Sequence, residues 1–400
     1  MQEIKHQGSW VSSPESTAES SAESSATTSP ESSPVVHILM ATCQGEAFIE
    51  RQLRSIEDQT YRHWRVYVSD DGSNDHTLDI LKAFKARWDG DALQHQMPHQ
   101  TSHQTPHKIH HQIPLVPPAE RVHLFEGPRK GSTENFMHLV RRVSALGSVA
   151  AEDLVAFADQ DDVWLDRKLE RAVAWHLQVR ANGASLDKET SQSSLPLSPE
   201  GQGAATTLQQ RPMLFAAKTV LVDEALNVLG LSKTPQGPLD FKSALVENVL
   251  SGNTMVMNKA LVEILKTIGM HHSVWHDWSA FLVAAGCNGV LYYDEEPCVW
   301  YRQHEKNVIG VKTGWLAQCF RAVVVFKGRY KAWTQINLDG LRDIETALSP
   351  EAYSLKALYE SVRLERSFWT RLKRIRHLSI RRQNRLLQGA LYVGLLLRMI

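Results

Sequence analysis

The stretch "FADQDDVWLD" (residues 157–166) decides how this 400-residue chain is read. The apolar run Leu154-Val155-Ala156-Phe157-Ala158 predicts a buried strand, yet Asp159, Asp161 and Asp162 follow within four positions. Carboxylates this close repel, and each raises the pKa of its neighbours. Either the segment lies in water or a cation compensates. The strand before it matters, because ligands of open α/β sheets bind beyond the carboxyl ends of the strands.

Working outward, the same pattern recurs. "VVHILMA" (35–41), "WRVYVS" (64–69) and "RVHLFEG" (121–127) read as further strands, with "DLVAFA" (153–158) the fourth. Between them, helical spacing places Ile49, Leu53 and Ile56 on one face, then Leu78, Leu81, Phe84 and Trp88, and "NFMHLVRRV" (135–143) is also helical. Strands alternating with helices predict an α/β fold on a mostly parallel central sheet. That sheet would gather Thr42, Asp70, Asp71, Asp159 and Asp161 at one edge. Beyond residue 212 the pattern becomes mixed. "PMLFAAKTVLVD" (212–223) reads as a strand and "ENVLSGNTMVMNKALVEIL" (247–265) as turn, strand and helix. "HDWSAFLVAAG" (276–286) reads as a helix and "GVLYYDEEPCVWYRQH" (289–304) as a strand with its exit.

Composition narrows the classes. Lys plus Arg equals Asp plus Glu at 44 each, so global charge gives no case for nucleic acid. Cys43, Cys287, Cys298 and Cys319 form no CxxC pair, which fits buried thiols in a reducing compartment. The first residues lack the apolar core of a signal peptide, and no run reaches the ~18–20 apolar residues of a membrane span. Cytoplasmic chemistry is expected. Three stretches are biased: a Ser/Glu/Thr/Pro leader within 1–34, a His-Gln-rich insertion at 92–118, and a polar linker at 182–211. Such stretches bury too little apolar surface to offset ordering entropy. The histidines of 92–118 match no defined metal spacing.

The carboxylate set has three readings. Asp162 could cap a helix starting near Val163. Hard oxygen ligands suit Mg²⁺ or Mn²⁺, which leave coordination positions for phosphate oxygens. An acid/base pair would need environments that split two pKa values. "ATCQGEAF" after the first strand holds one glycine and neither a Walker A nor a GxGxxG pattern, so a phosphate ligand would need a metal and side chains instead.

Six stretches in order resemble the inverting family 2 glycosyltransferases of GT-A fold, in the bacterial rhamnosyltransferase-like branch. They are "ATCQGEAFIERQLRSIEDQTYRHWRVYVSDDGSNDHT", "NFMHLV", "ADQDDVWLDRKLE", "SGNTMVMNKAL", "HDWSAFLVAAG" and "DEEPCVWYRQHEKNVIG". The resemblance implies a GT-A domain over 35–310, with a nucleotide-binding half at 35–181 and an acceptor-binding half at 212–310. A helical extension would follow at 311–400. It implies a nucleotide-sugar donor, a glycan or lipid-linked acceptor in surface polysaccharide assembly, and a divalent metal. Thr42 and Asp71 would contact the base, with Asp70 on the same loop. Asp159 would face the ribose or phosphate, and Asn253 a sugar. Asp161 and His304 would serve the metal, and Asp277 would be the base that deprotonates the acceptor hydroxyl. For Asp277 the residue-level alternative is an N-cap; for Trp164 it is packing against the sheet. Cys43-Gln44 replaces the Tyr-Asn common in the family, and Ser279 replaces a second tryptophan. A non-catalytic sugar-nucleotide-binding scaffold is the alternative from another class, and a metal-dependent phosphohydrolase is a third.

The C-terminus is basic. "RLKRIRHLSIRRQNR" (371–385) carries seven Arg or Lys residues, and the apolar "LLQGALYVGLLL" (386–397) follows. Residues 371–398 read either as a helix packed on the domain or as a peripheral anchor on an anionic membrane surface. Aromatics do not interleave the basic residues, which argues against nucleic acid.

Overall fold

The computed structural model describes residues 33–95, 120–192, 210–304 and 328–400. The leader, the His-rich insertion and the linker fall largely outside the described residues. Strand β1 (Val36–Thr42) is buried along its whole length. It lies between β2 (Trp64–Asp70) and β4 (Leu154–Asp159), parallel to both, and β3 (Val122–Glu126) extends the sheet beyond β2. Helices α1 (Ile49–Glu57), α2 (Thr77–His95) and α3 (Ser132–Ala145) make the crossovers. Side chains alternate across a strand, so each face of β1 meets a different core. Val36, Ile38 and Met40 join Ile49, Leu53 and Phe84, whereas Leu39 and Ala41 join Phe136, Met137 and Val140. A strand covered on both faces has to be apolar throughout, as the sequence of β1 is.

The chain leaves β1 toward β2 and β3, then returns on the other side as β4. A crevice therefore opens at the carboxyl ends of β1 and β4, at a topological switch point. Past β4 come the short β5 (Val163–Trp164) and α4 (Lys168–Gln192). The helix runs on into the linker expected from 182, where Ala, Leu, Lys, Glu and Gln all favour helix. Strands β6 (Met213–Val222), β7 (Val228–Leu231), β8 (Val256–Asn258) and β9 (Val290–Arg302) complete a mixed sheet of order β3-β2-β1-β4-β8-β6-β9-β5, with β7 paired to β6. Four contiguous parallel strands form one half; β8 is antiparallel to both its neighbours in the other.

Helices α5 (Phe241–Ala244), α6 (Lys259–Leu265) and α7 (His276–Gly286) cover that second half. Four more follow: α8 (Arg329–Asp343), α9 (Pro350–Leu364), α10 (Phe368–His377) and α11 (Arg385–Leu396). Their Leu338, Tyr359 and Leu391, and Ile400 beyond α11, enter the same core as Phe157 and Phe281. The described part of the expected extension is thus continuous with the sheet's packing.

Candidate functional site

Strand register assembles the first part of the site. Thr42 pairs with Asp70, and Ala41 with Asp159, so the three strand ends stand in a row. The Thr42 hydroxyl donates to Asp70 Oδ1 at 3.0 Å. Asp70 also accepts the Gly72 and Ser73 N–H groups at 3.1 and 2.8 Å and the Ser73 hydroxyl at 2.6 Å. It therefore holds its own loop in shape. Asp71 accepts the backbone N–H groups of Arg129 and Gly131, which ties the loop after β2 to the start of α3. Its position beside Thr42 fits the expected base-binding edge, but both oxygens already have donors.

The DQDD segment separates into four roles. Gln160 clasps the Cys43 backbone twice at 2.9 Å, accepting its N–H and donating to its carbonyl. A side chain at residue 45 would press on the Gln160 amide and disturb this clasp. Asp161 Oδ2 accepts from His304 Nε2 at 2.7 Å, and the His304 ring stacks on Phe48 at 5.2 Å. Asp159 is half-buried at the end of β4. Burial first, and then the charges of Asp161 and Asp277, push its carboxyl up to about 7.

Asp162 corrects an expectation. It caps no helix: β5 follows it, and the next helix begins only at Lys168. Its side chain is fully buried, accepting from the Asn253 amide and from the Arg302 N–H at 3.2 Å. Asn253, read as facing a sugar, is likewise turned inward. Its amide oxygen accepts the Ser251 hydroxyl at 2.7 Å, and its carbonyl accepts Lys168 Nζ at 2.6 Å. Lys168 lies over the buried Trp164 ring at 3.2 Å, so Trp164 packs as the bland reading expected. Burial brings the lysine down to about 7.

Asp277 stands on α7 as its second residue, whereas Trp275 occupies the N-cap. The N-cap alternative therefore fails. A carboxylate in the first turn is favoured by the helix dipole, but burial outweighs this and pushes Asp277 up to about 6. Hydrogen bonds from the Trp278 N–H, the Asn248 side chain and the Gly252 backbone oppose the shift. Tyr301 feels the charges of Asp159, Asp162, Asp161 and Asp277 together, which sets α7 and the DQDD loop in one electrostatic neighbourhood. The close approach depends on Gly252. A Cβ there would lie 2.8 Å from His276 Nε2 and 3.0 Å from Asp277 Cβ. Gly252→Ala is expected to displace the start of α7 and cost about 1–3 kcal/mol, measurable by denaturant unfolding.

Lys168, Arg302, Gln160 and Phe48 were not among the residues expected at the site. Arg302 donates through Nε to the Asp161 carbonyl at 2.8 Å and lies over Phe48 at 4.7 Å. One signal for it was available: a cation on the buried phase of the apolar stretch "CVWYR" that ends β9.

Two comparisons bear on this geometry. Residues 37–93 match the family model described as glycosyl transferase family 2, which covers β1, the loop before α1 and the Asp70–Asp71 turn. A dTDP-rhamnosyl transferase from Shigella flexneri, RfbG, is 25% identical over 306 residues, 73% of this chain and 77% of the relative. Over residues 37–93 the chain is thus similar to family 2 glycosyltransferases. Among solved structures, the chain resembles S. aureus TarS 1-349 in complex with UDP at 13% identity and a TM-score of 0.44, covering 91% of this chain and 89% of that one. It also resembles the mannosyltransferase PcManGT from Pyrobaculum calidifontis, in complex with GDP-Man and Mn²⁺, at 16% identity and a TM-score of 0.37, covering 92% and 86%.

Proposed function

We propose that this glycosyltransferase moves rhamnose from a nucleotide-sugar donor onto a glycan or lipid-linked saccharide, with inversion, in cell-surface polysaccharide assembly. The sugar rests on the name of the S. flexneri relative. The reaction type rests on one observation: a half-buried carboxylate, Asp277, shares its neighbourhood with the strand-end carboxylates Asp159 and Asp161. In this reading the nucleotide lies along Thr42, Asp71 and Asp159. Asp277 takes the proton of the acceptor hydroxyl as that oxygen bonds to the anomeric carbon. The bond from that carbon to the diphosphate oxygen breaks, and the electron pair leaves with the nucleotide. A single displacement of this kind inverts the anomeric centre.

Asp161 and His304 suit a divalent ion. An oxygen and an imidazole nitrogen stand 2.7 Å apart, half-buried, with the ring steadied by Phe48. Among the described residues no three His, Cys, Asp or Glu side chains form a complete cage. A two-ligand set leaves room for diphosphate oxygens, as Mg²⁺ and Mn²⁺ sites commonly do. Such an ion supplies charge for the leaving diphosphate. A cytoplasmic enzyme with a lipid-linked acceptor would work at a membrane face, which the basic segment 371–398 would meet.

The test is turnover of a panel of nucleotide sugars with Mn²⁺, Mg²⁺ or excess chelator. We expect transfer or slow donor hydrolysis with a dTDP-sugar, and a loss of at least about a hundredfold in Asp161→Ala, given the several kcal/mol a metal can supply. Undiminished activity in chelator would remove the metal from the scheme. No turnover of any donor would remove the scheme itself.

A further inference from the structure

Residues 366–400 contain nine Arg or Lys residues and no Asp or Glu. The structure divides seven of these cations, those of residues 371–385, into two groups. Arg371 is buried and donates to the Glu365 and Leu396 carbonyls, fixing the start of α10 beside the end of α11. Arg374 pairs with Glu365 at 3.2 Å, Arg381 with Asp240 at 2.9 Å and Arg382 with Glu247 at 3.2 Å. At the other end of the pair, the Tyr392 hydroxyl donates to the Leu378 and Ile380 carbonyls at 3.2 Å. These contacts make α10 and α11 a fixed antiparallel hairpin. Lys373, Arg376 and Arg385 belong to the second group and are exposed.

The outer face of that hairpin is unusual. Helix α11 buries Leu387, Leu391 and Leu395, so amphipathic spacing calls for polar residues opposite. It presents Leu386, Val393 and Leu397 instead, spaced seven and four residues apart on one stripe and 76%, 47% and 56% exposed. Trp369 on α10 is also 76% exposed, and it shares its stripe with Lys373 and Arg376. The antiparallel contacts set Trp369 at the same end of the hairpin as Leu397 and Arg398. Among the described residues no helix is long and apolar enough to cross a membrane.

We propose that this outer face docks on the surface of an anionic phospholipid bilayer, with Trp369 and the α11 stripe in the headgroup–acyl boundary and Lys373, Arg376 and Arg385 on the headgroups. An apolar stripe beside exposed cations, on a segment that contains no acidic residue, matches an anionic interface in both respects. The surface is carried by folded helices, so docking needs no refolding of the tail. The proposal is independent of donor, acceptor and metal.

Flotation of the full chain with vesicles tests it. Binding is expected on vesicles with about one-third phosphatidylglycerol, with loss in high salt as surface charge is screened. Pure phosphatidylcholine should bind at least ten times more weakly. At roughly fivefold per cation near the surface, Lys373→Gln, Arg376→Gln and Arg385→Gln together should weaken binding about a hundredfold. Trp369→Ser with Leu397→Ser should also detach the protein while leaving its thermal unfolding unchanged. Quenching of tryptophan fluorescence by brominated lipid should vanish in Trp369→Phe. Equal binding to neutral vesicles, or unchanged binding in either variant, would overturn the proposal. So would a solution dimer that Trp369→Ser dissolves, because the face would then belong to a second copy.

Discussion

Asp277→Asn is expected to reduce sugar transfer by about a hundred- to ten-thousandfold, the span that a positioned general base contributes. That corresponds to roughly 2.7–5.4 kcal/mol of activation free energy. The substitution is chosen for what it keeps. An asparagine has nearly the same shape, and its amide oxygen can still accept the Trp278 N–H that Asp277 accepts at 2.7 Å. What disappears is the capacity to take a proton. The loss should therefore fall on kcat, with the donor KM little changed. The wild-type pH profile carries the same information. With burial holding Asp277 at about 6, the reactive carboxylate is formed as pH rises through that value. On this group alone, transfer would climb about tenfold per pH unit below it and level off above. Asp159 is pushed up to about 7 by its own burial and its carboxylate neighbours, so the wild-type limb contains two groups. The asparagine variant separates them: any limb left near 7 belongs to Asp159. A variant that keeps full transfer would end the assignment of Asp277 as base.

The fold was legible because the N-terminal sheet is simple physics. The fully buried β1 and β4 require continuous apolar runs, and "VVHILMA" and "DLVAFA" are such runs, bounded by polar strand ends. Register then follows from parallel pairing, which is why Thr42, Asp70 and Asp159 meet although the sequence separates them. The direction in which each carboxylate faces was not legible. Asp159, Asp161 and Asp162 are chemically alike in the sequence, and what distinguishes them comes from residues far away. Asp161 is set by His304, and Asp162 by Asn253 and Arg302. Helix start signals misled for the same reason. Asp162 precedes an apolar pair that resembles a helix opening, but pairing of Val163 and Trp164 with β9 makes it a strand. The basic tail showed the opposite failure. Its charge was plain, but only tertiary contacts separate Arg371, Arg374, Arg381 and Arg382, which staple the hairpin, from the exposed cations.

The division of labour within DQDD predicts opposite behaviour for adjacent aspartates. Asp162→Ala should lower stability by about 3–5 kcal/mol, through two orphaned buried donors and the cavity left behind. Two buried donors would lose their acceptor, the Asn253 amide and the Arg302 N–H. Each such loss costs about 1–3 kcal/mol. The alanine also leaves space beside a well-packed core, because the Asp162 side chain is fully buried. At about 2–4 °C per kcal/mol for a domain of this order of size, the melting temperature should fall by roughly 10 °C. Asp162→Asn should cost less, since one oxygen can still accept the Arg302 N–H while the new amide disturbs only the Asn253 contact. Asp161 is different, because its side chain retains access to solvent and its partner is a single histidine. Asp161→Ala should thus melt within about 2 °C of wild type, as substitutions of partly exposed groups usually do, while losing transfer. Thermal unfolding and turnover measured on the same preparations decide the matter. If Asp161→Ala proves the less stable of the two alanine variants, the structural and catalytic roles drawn here are reversed.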